Sequence, residues 1–342
     1  MLRAFLILML CAPLVSCATS QSVRPETSTP SLPPVPEDPL ALVVENPESV
    51  AVANVQAVMR TPLFARLRPY IERATCINLA DWNAVLSATR RAALAVRHRA
   101  DQPREWLLVL AGSYTEADAR RVLALAHKKA RGADSDPVRD ARDGTGRFGI
   151  AEQGALAVSQ LEGRVLVVGT QAWARAAIGA VAQPTSSFSG SPLWRTVGLP
   201  LGCSERSACL LSAANSNNAE QIERGLASAG ARQLGQALSS ADSALGLSLS
   251  DKLSIGLAAQ LASNDAAQVA ERGLRDWLWQ ANMLVRLTGL PAVLDRTQLS
   301  TQGALLRGEL DVTRDELDAY EARAKPLFDR EAPSCSPDAQ SL

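Results

Sequence analysis

The chain has 342 residues, of which 47% are hydrophobic, 20% charged and only 4% aromatic. That composition supports a buried core and excludes both a coiled rod and a wholly disordered chain. Lysine plus arginine and aspartate plus glutamate each number 35, so the positive field that nucleic-acid binding draws on is missing and no nucleic acid is expected as a partner. Beyond the first segment no apolar run reaches membrane-spanning length, which excludes a multi-span membrane protein.

Met1 to Arg3 is a short n-region with one positive charge, and Ala4 to Val15 is an apolar stretch too short to span a bilayer as a stable helix. Together they read as a signal peptide over 1–16. Its end, Leu14-Val15-Ser16-Cys17, resembles the lipobox of bacterial lipoprotein precursors: an aliphatic residue, a tolerant position, a small residue, then Cys. The resemblance implies diacylglyceryl transfer to the Cys17 sulfur, cleavage after Ser16 and acylation of the new amino group. Cys11 follows the bulky Leu10 and makes a poor alternative. Two or three acyl chains anchor firmly at about 0.8 kcal/mol per buried CH2, so the expected membrane contact is a lipid tether and not a span. Residue 18 is Ala and not Asp, which in the enterobacterial sorting pattern implies the outer membrane.

Residues 17–40 hold the lipidated Cys and then Pro25, Pro30, Pro33, Pro34, Pro36 and Pro39 among many Ser and Thr. Such a segment is expected to be a semi-extended tether that lifts a head off the bilayer. In a first half, 41–185, Val50 to Val55 is strand-like and Pro62 to Arg73 has a helical pattern. Apolar runs follow at Ala92 to Arg97 and Trp106 to Leu110. A helix is expected from about Glu116 to Lys129, opened by a capping box at either Ser113 or Thr115. After a polar loop come Phe148 to Glu152, Ala155 to Leu161 and Arg164 to Gly169. Val165-Leu166-Val167-Val168, apolar on both faces, reads as a central strand, and a helix over Ala172 to Val181 closes the half.

The second half, 186–330, repeats that order: a strand at Cys209 to Ala213, a helix near Ala219 to Ala227, a strand pair at Leu245 to Leu249 and Leu253 to Leu261, and a long helix from about Asp265 to Leu287. Ala267, Ala270, Leu274, Trp277, Leu278, Ala281 and Leu284 form the apolar stripe of that helix. Leu305 to Val312 alternates, and Thr313-Arg314-Asp315-Glu316 is a capping box for a last helix before a tail at 331–342. Hairpins alternating with helices predict an α+β fold of two similar halves, each an antiparallel sheet covered by helices, an internal duplication.

Four cysteines remain besides Cys17 in the mature chain: Cys76, Cys203, Cys209 and Cys335. An even count in an exported protein favours disulfides, and the spacing of Cys203 and Cys209 closes a small loop easily, leaving Cys76 with Cys335 by elimination. No metal site is expected, since zinc needs four converging ligands and the chain has two histidines.

Catalytic motifs fail on context. Gly144-Thr145-Gly146-Arg147-Phe148-Gly149 fits G-x-G-x-x-G, but a dinucleotide site needs a strand before it and a helix after it, so a turn and no cofactor is expected. Asp134, Asp136, Asp140 and Asp143 share a loop with Arg139 and Arg142 interleaved and lack EF-hand spacing, which reads as a solvated loop. His127 precedes Lys128 and Lys129 at a helix end, where cations suit the negative dipole end and a capping role is expected. His98 is expected in a turn, and no G-x-S-x-G, H-E-x-x-H or S-x-x-K motif occurs. Arg90, Arg91, Arg97, Arg99 and Arg104 form the densest basic cluster, expected to be a solvated, charge-balanced face.

The expectation is therefore a non-catalytic, lipid-anchored envelope protein acting as a scaffold or interaction module, with an envelope protein as partner. The alternative is a carrier of a hydrophobic ligand. In Ser254 to Leu261 the face lined by Gly256 and Ala258 leaves room either for an acyl chain or for a closely packed helix.

Overall fold

The computed structural model describes residues 33–330 apart from 45–46, 76–77, 99–103, 132–136, 183–186, 215–222 and 225–231. The expected signal peptide, Cys17, Cys76, Cys335, most of the expected tether, all but residues 223–224 of the helix expected near Ala219, and the tail at 331–342 lie outside the described residues.

The fold is α+β, built on one large antiparallel sheet. Its strands are β1 (Ser49–Asn54), β2 (Thr89–Arg97), β3 (Glu105–Gly112), β4 (Arg139–Arg142), β5 (Gly149–Gln153), β6 (Leu156–Leu161) and β7 (Val165–Thr170), then β8 (Ala208–Ser212), β9 (Asp242–Leu249), β10 (Leu253–Gln260), β11 (Gln298–Gln302) and β12 (Leu305–Val312). All twelve join in the order β11-β12-β10-β9-β8-β1-β2-β3-β7-β6-β5-β4. The sequence reading gave each half its own sheet. Instead, β1 pairs β8 from Ser49↔Ser212 to Ala53↔Ala208, so the halves share a single sheet and a continuous core. The doubly apolar Val165 to Val168 run is the inner strand β7, fully buried between β3 and β6.

Helices cover both faces. On one lie α1 (Val55–Met59), α2 (Pro62–Thr75), α3 (Leu79–Ala88) and α4 (Glu116–Arg131), enclosing Val85, Leu86, Leu110, Leu123, Leu166 and Val168. The same face carries, over β10 and β12, α6 (Arg232–Ser239) and α7 (Asn264–Leu287), around Ala259, Ala267, Ala270, Leu274 and Leu306. The other face holds Val50, Val52, Leu107, Val109, Val165, Val167, Cys209 and Leu211. It is covered by α5 (Gln171–Ala182), a 3-10 turn at Pro39–Leu42 and a π-helical turn at Trp194–Gly198. The last helix, α8 (Arg314–Arg330), packs Leu317 and Tyr320 against Leu310 and Val312.

Local signals explain these elements. Thr115 and Asp118 form the box that opens α4: the Thr115 amide donates to Asp118 Oδ2 at 2.8 Å and the Asp118 amide to Thr115 Oγ1 at 3.3 Å, so Thr115 and not Ser113 starts the helix. Thr313 and Glu316 repeat the arrangement on α8, and Ser263 caps α7 through the Ala266 amide at 3.1 Å. Two expectations need correcting. The segment expected as a tether up to residue 40 joins the core before its end, because Val35 and Leu40 are buried. The stripe of α7 is covered as far as Trp277 and Leu278 but not to its end; Leu284 is 66% exposed.

Candidate functional site

Strand register builds one polar area. Cys209 pairs Gly246, Gly246 pairs Gly256, Gly256 pairs Glu309 and Glu309 pairs Gln298, so these five residues form a row across five strands on one sheet face. The next row on that face is Ser248, Ser254 and Asp311. A cleft of about 730 Å³ opens over these rows, walled by Glu205 and Arg206 on one side and Arg296 on the other. Its size falls in the range of small-molecule sites.

Arg206 is what the rows are shaped around. It comes from the loop closed by Cys203 and Cys209, whose sulfurs stand 2.22 Å apart as expected from their spacing. Gly202 turns that loop with φ of 73°, and the Arg206 amide donates to the Gly202 carbonyl at 3.1 Å. The side chain then runs along the sheet: Nε donates to the Leu201 carbonyl at 2.8 Å and Nη2 to Glu309. It fits because two strand positions have no side chain. A β-carbon on Gly246 would fall 2.4 Å from Arg206 Cδ, and one on Gly256 would fall 2.5 Å from Arg206 Nη2. Glycine inside a strand costs about 0.5–1 kcal/mol relative to alanine, and such positions mark the close approach of another group. Two glycines and a disulfide loop thus hold the Arg206 side chain, 13% exposed, along the sheet at the wall of the cleft.

Charges on the far side are braced. Hydrogen bonds from Lys252 and Ser254, both at 2.5 Å, hold the Asp311 carboxyl below its ordinary range, and Asp311 in turn raises Lys252. Burial opposes ionisation of Glu316, but the Thr313 amide and Arg296 outweigh it and lower that carboxyl. Arg296 Nη2 donates to Glu316 at 2.7 Å and to the Asp311 carbonyl at 3.2 Å.

The other expected features fall elsewhere. Gly144 to Gly149 is the turn between β4 and β5, with Gly146 at φ 72°. Asp143 organises it: burial raises its carboxyl, but bonds from the Thr145 hydroxyl and the Phe148, Thr145 and Arg147 amides prevail and lower it. Asp140 pairs with Arg120 at 3.1 Å, and Asp134 and Asp136 lie outside the described residues. His98 is exposed. His127, expected as a terminal cap, turns inward and is 5% exposed, because its position falls on the packed side of α4. Of the basic cluster, Arg90 and Arg91 face Glu37 and Asp38, and Arg97 is buried against Glu105 at 2.6 Å and over the Trp173 ring at 4.2 Å. Arg99 lies outside the described residues, and Arg104 is exposed. Among the described residues no group of His, Cys, Asp and Glu is placed to hold a metal ion, and no helix is long and apolar enough to cross a membrane.

The room expected beside Gly256 and Ala258 is filled. Arg206 occupies the space at Gly256, and Ala258 is fully buried where β10 packs against the turn at Trp194–Gly198. Sequence reasoning missed the cleft itself, since Arg206 and Glu309 are 103 residues apart. The available signal was Gly246 and Gly256, each flanked on both sides by a large apolar residue of its strand.

No family model matches the chain, and no curated protein matches it. Solved structures similar to it are crystal forms of TP0453. Form IV is 16% identical with a TM-score of 0.47, covering 82% of this chain and 96% of that one. Form I is 14% identical with a TM-score of 0.47, covering 83% and 97%, and form III is 13% identical with a TM-score of 0.46, covering 83% and 98%.

Proposed function

We propose that the chain is a non-catalytic interaction module of the bacterial envelope, tethered by lipid on Cys17 and facing an envelope protein partner. The observation that carries this reading is the outer side of α7: Trp279, Met283, Leu284 and Leu287 form an i, i+4, i+5, i+8 stripe, with Trp279 62%, Leu284 66% and Leu287 82% exposed. Contiguous apolar surface of this kind marks an interaction site, whereas scattered single residues do not. The lipobox and the Pro-rich segment after it support placing that surface at a membrane-tethered head. The same reading takes the fold as a duplication. Outward from the β8–β1 pair, β8-β9-β10-β12-β11 matches β1-β2-β3-β7-β6 in order, leaving β4 and β5 as an added hairpin. The lining on which a carrier of a hydrophobic ligand would rely is occupied by Arg206 and by the turn at Trp194–Gly198.

The test is photo-crosslinking in intact envelopes from position 284, with position 116, exposed on α4, as control. Adducts to a defined envelope protein from 284, absent from 116 and lost in Cys17→Ala, are expected. Equal labelling from both positions, or none, contradicts the proposal.

A further inference from the structure

The cleft's charges are mixed in sign and differ in how far they are already used. Arg206 Nη1 makes no hydrogen bond to a described residue, its Nε and Nη2 being engaged by Leu201 and Glu309. Among the described residues Arg296 uses only Nη2, on Glu316 and the Asp311 carbonyl. The Glu205 carboxylate, exposed at the rim, has no hydrogen-bond or ion-pair partner among the described residues. With Nη2 engaged on both arginines, each Nη1 still offers a charge-assisted N–H donor, one to each oxygen of a carboxylate, and a free carboxylate matches an ammonium. A polyanion would meet Glu205, Glu309 and Asp311, and a polycation would meet Arg206 and Arg296, so neither is complementary to the walls.

From this we infer that the cleft binds a small zwitterionic ligand, an amino acid or short peptide carrying a free ammonium group and a free carboxylate. The carboxylate is received between Arg206 and Arg296 and the ammonium by Glu205. The floor of Ser248 and Ser254 hydroxyls supplies donors and acceptors for the amide groups between the two ends. This site goes beyond the tethered-module reading and does not depend on it, because neither Cys17 nor the apolar side of α7 contributes to it.

The experiment is isothermal titration of the purified full chain with tri-alanine, N-acetyl-tri-alanine, tri-alanine amide and inorganic phosphate. Tri-alanine should bind, and capping either end should weaken binding at least about tenfold, the loss expected when one charge-assisted contact is removed. Glu205→Gln should abolish discrimination against the acetylated peptide, and Arg296→Gln discrimination against the amide. Both positions are at the rim, so these variants report binding even if Arg206→Gln fails to fold. No binding of tri-alanine at millimolar concentration, equal affinity for the capped peptides, or phosphate binding as tightly as tri-alanine would each overturn the inference. The crosslinking from position 284 is unaffected by any of these outcomes, so the two ideas fail separately.

Discussion

Arg206 lies in the space a side chain at position 256 would need: a β-carbon on Gly256 falls 2.5 Å from Nη2 and 2.7 Å from Cζ. The obstruction is the tip of a long side chain, so it can move. Gly256→Ala should therefore cost only about 1 kcal/mol in urea unfolding while releasing Arg206 from Glu309. Gly169 is the contrast, because a β-carbon there would fall 2.4 Å from the Trp106 carbonyl oxygen, which belongs to the neighbouring strand and cannot swing away. Gly169→Ala should cost roughly 3 kcal/mol or more. Equal losses for the two variants would show that the Arg206 contact is not what shapes position 256.

Trp173 should be the most sensitive single position of the core beneath α5. It is fully buried, its Nε1 donates to the Val44 carbonyl at 2.9 Å, and Arg97 stacks on its ring. Trp173→Ala should lose about 3–5 kcal/mol, and Trp173→Phe about 1–2 kcal/mol through the orphaned carbonyl. A Phe variant as stable as wild type would remove the hydrogen bond from the account.

Much of this architecture was legible in the sequence because periodicity reports burial. Val165 to Val168, apolar at every position, could only be an inner strand, and the α7 stripe was correct as far as Trp277 and Leu278, which pack against the α6–α7 cluster. Short polar edges were not legible. The strand β4 is Arg139-Asp140-Ala141-Arg142 and β11 is Gln298 to Gln302; both lie at sheet ends, where pairing on one side suffices and no apolar pattern is required. The segment Leu79–Ala88 was missed because its apolar residues do not fall on one face. The cleft was invisible for a different reason: register and a disulfide loop bring its walls together, and neither leaves a local motif.

Acid should loosen the end of the sheet that carries β12. The Asp311 and Glu316 carboxyls are held below their ordinary values of 3.8 and 4.5. A depressed carboxyl contributes stability that is fully present above its unfolded value and is lost as pH falls through the folded one, so the loss belongs below about pH 4.5. Urea midpoints taken from neutral pH downward should fall in that window, and Asp311→Asn should flatten the fall. A wild-type midpoint that rises on acidification would give the pairs the wrong sign.

Cys203 and Cys209 should be found joined by non-reducing peptide mapping. Closing a loop of seven residues contributes about 2 kcal/mol in the chain-entropy account, so the double Cys203→Ser, Cys209→Ser variant should lose that much in urea unfolding. It should also lose any affinity for tri-alanine, since Arg206 would no longer be presented from a closed loop. Free thiols at both positions after oxidising export would remove this part of the account.

The central claim, a head held at the membrane by lipid, meets its most direct test in the mass of the N-terminal peptide from the protein extracted from envelopes. The account predicts a peptide beginning at Cys17 and heavier than its sequence by a diacylglyceryl group and an amide-linked acyl chain, and a Cys17→Ala chain that no longer fractionates with membranes. A peptide beginning elsewhere, an unmodified Cys17, or a Cys17→Ala protein still held like wild type would contradict it.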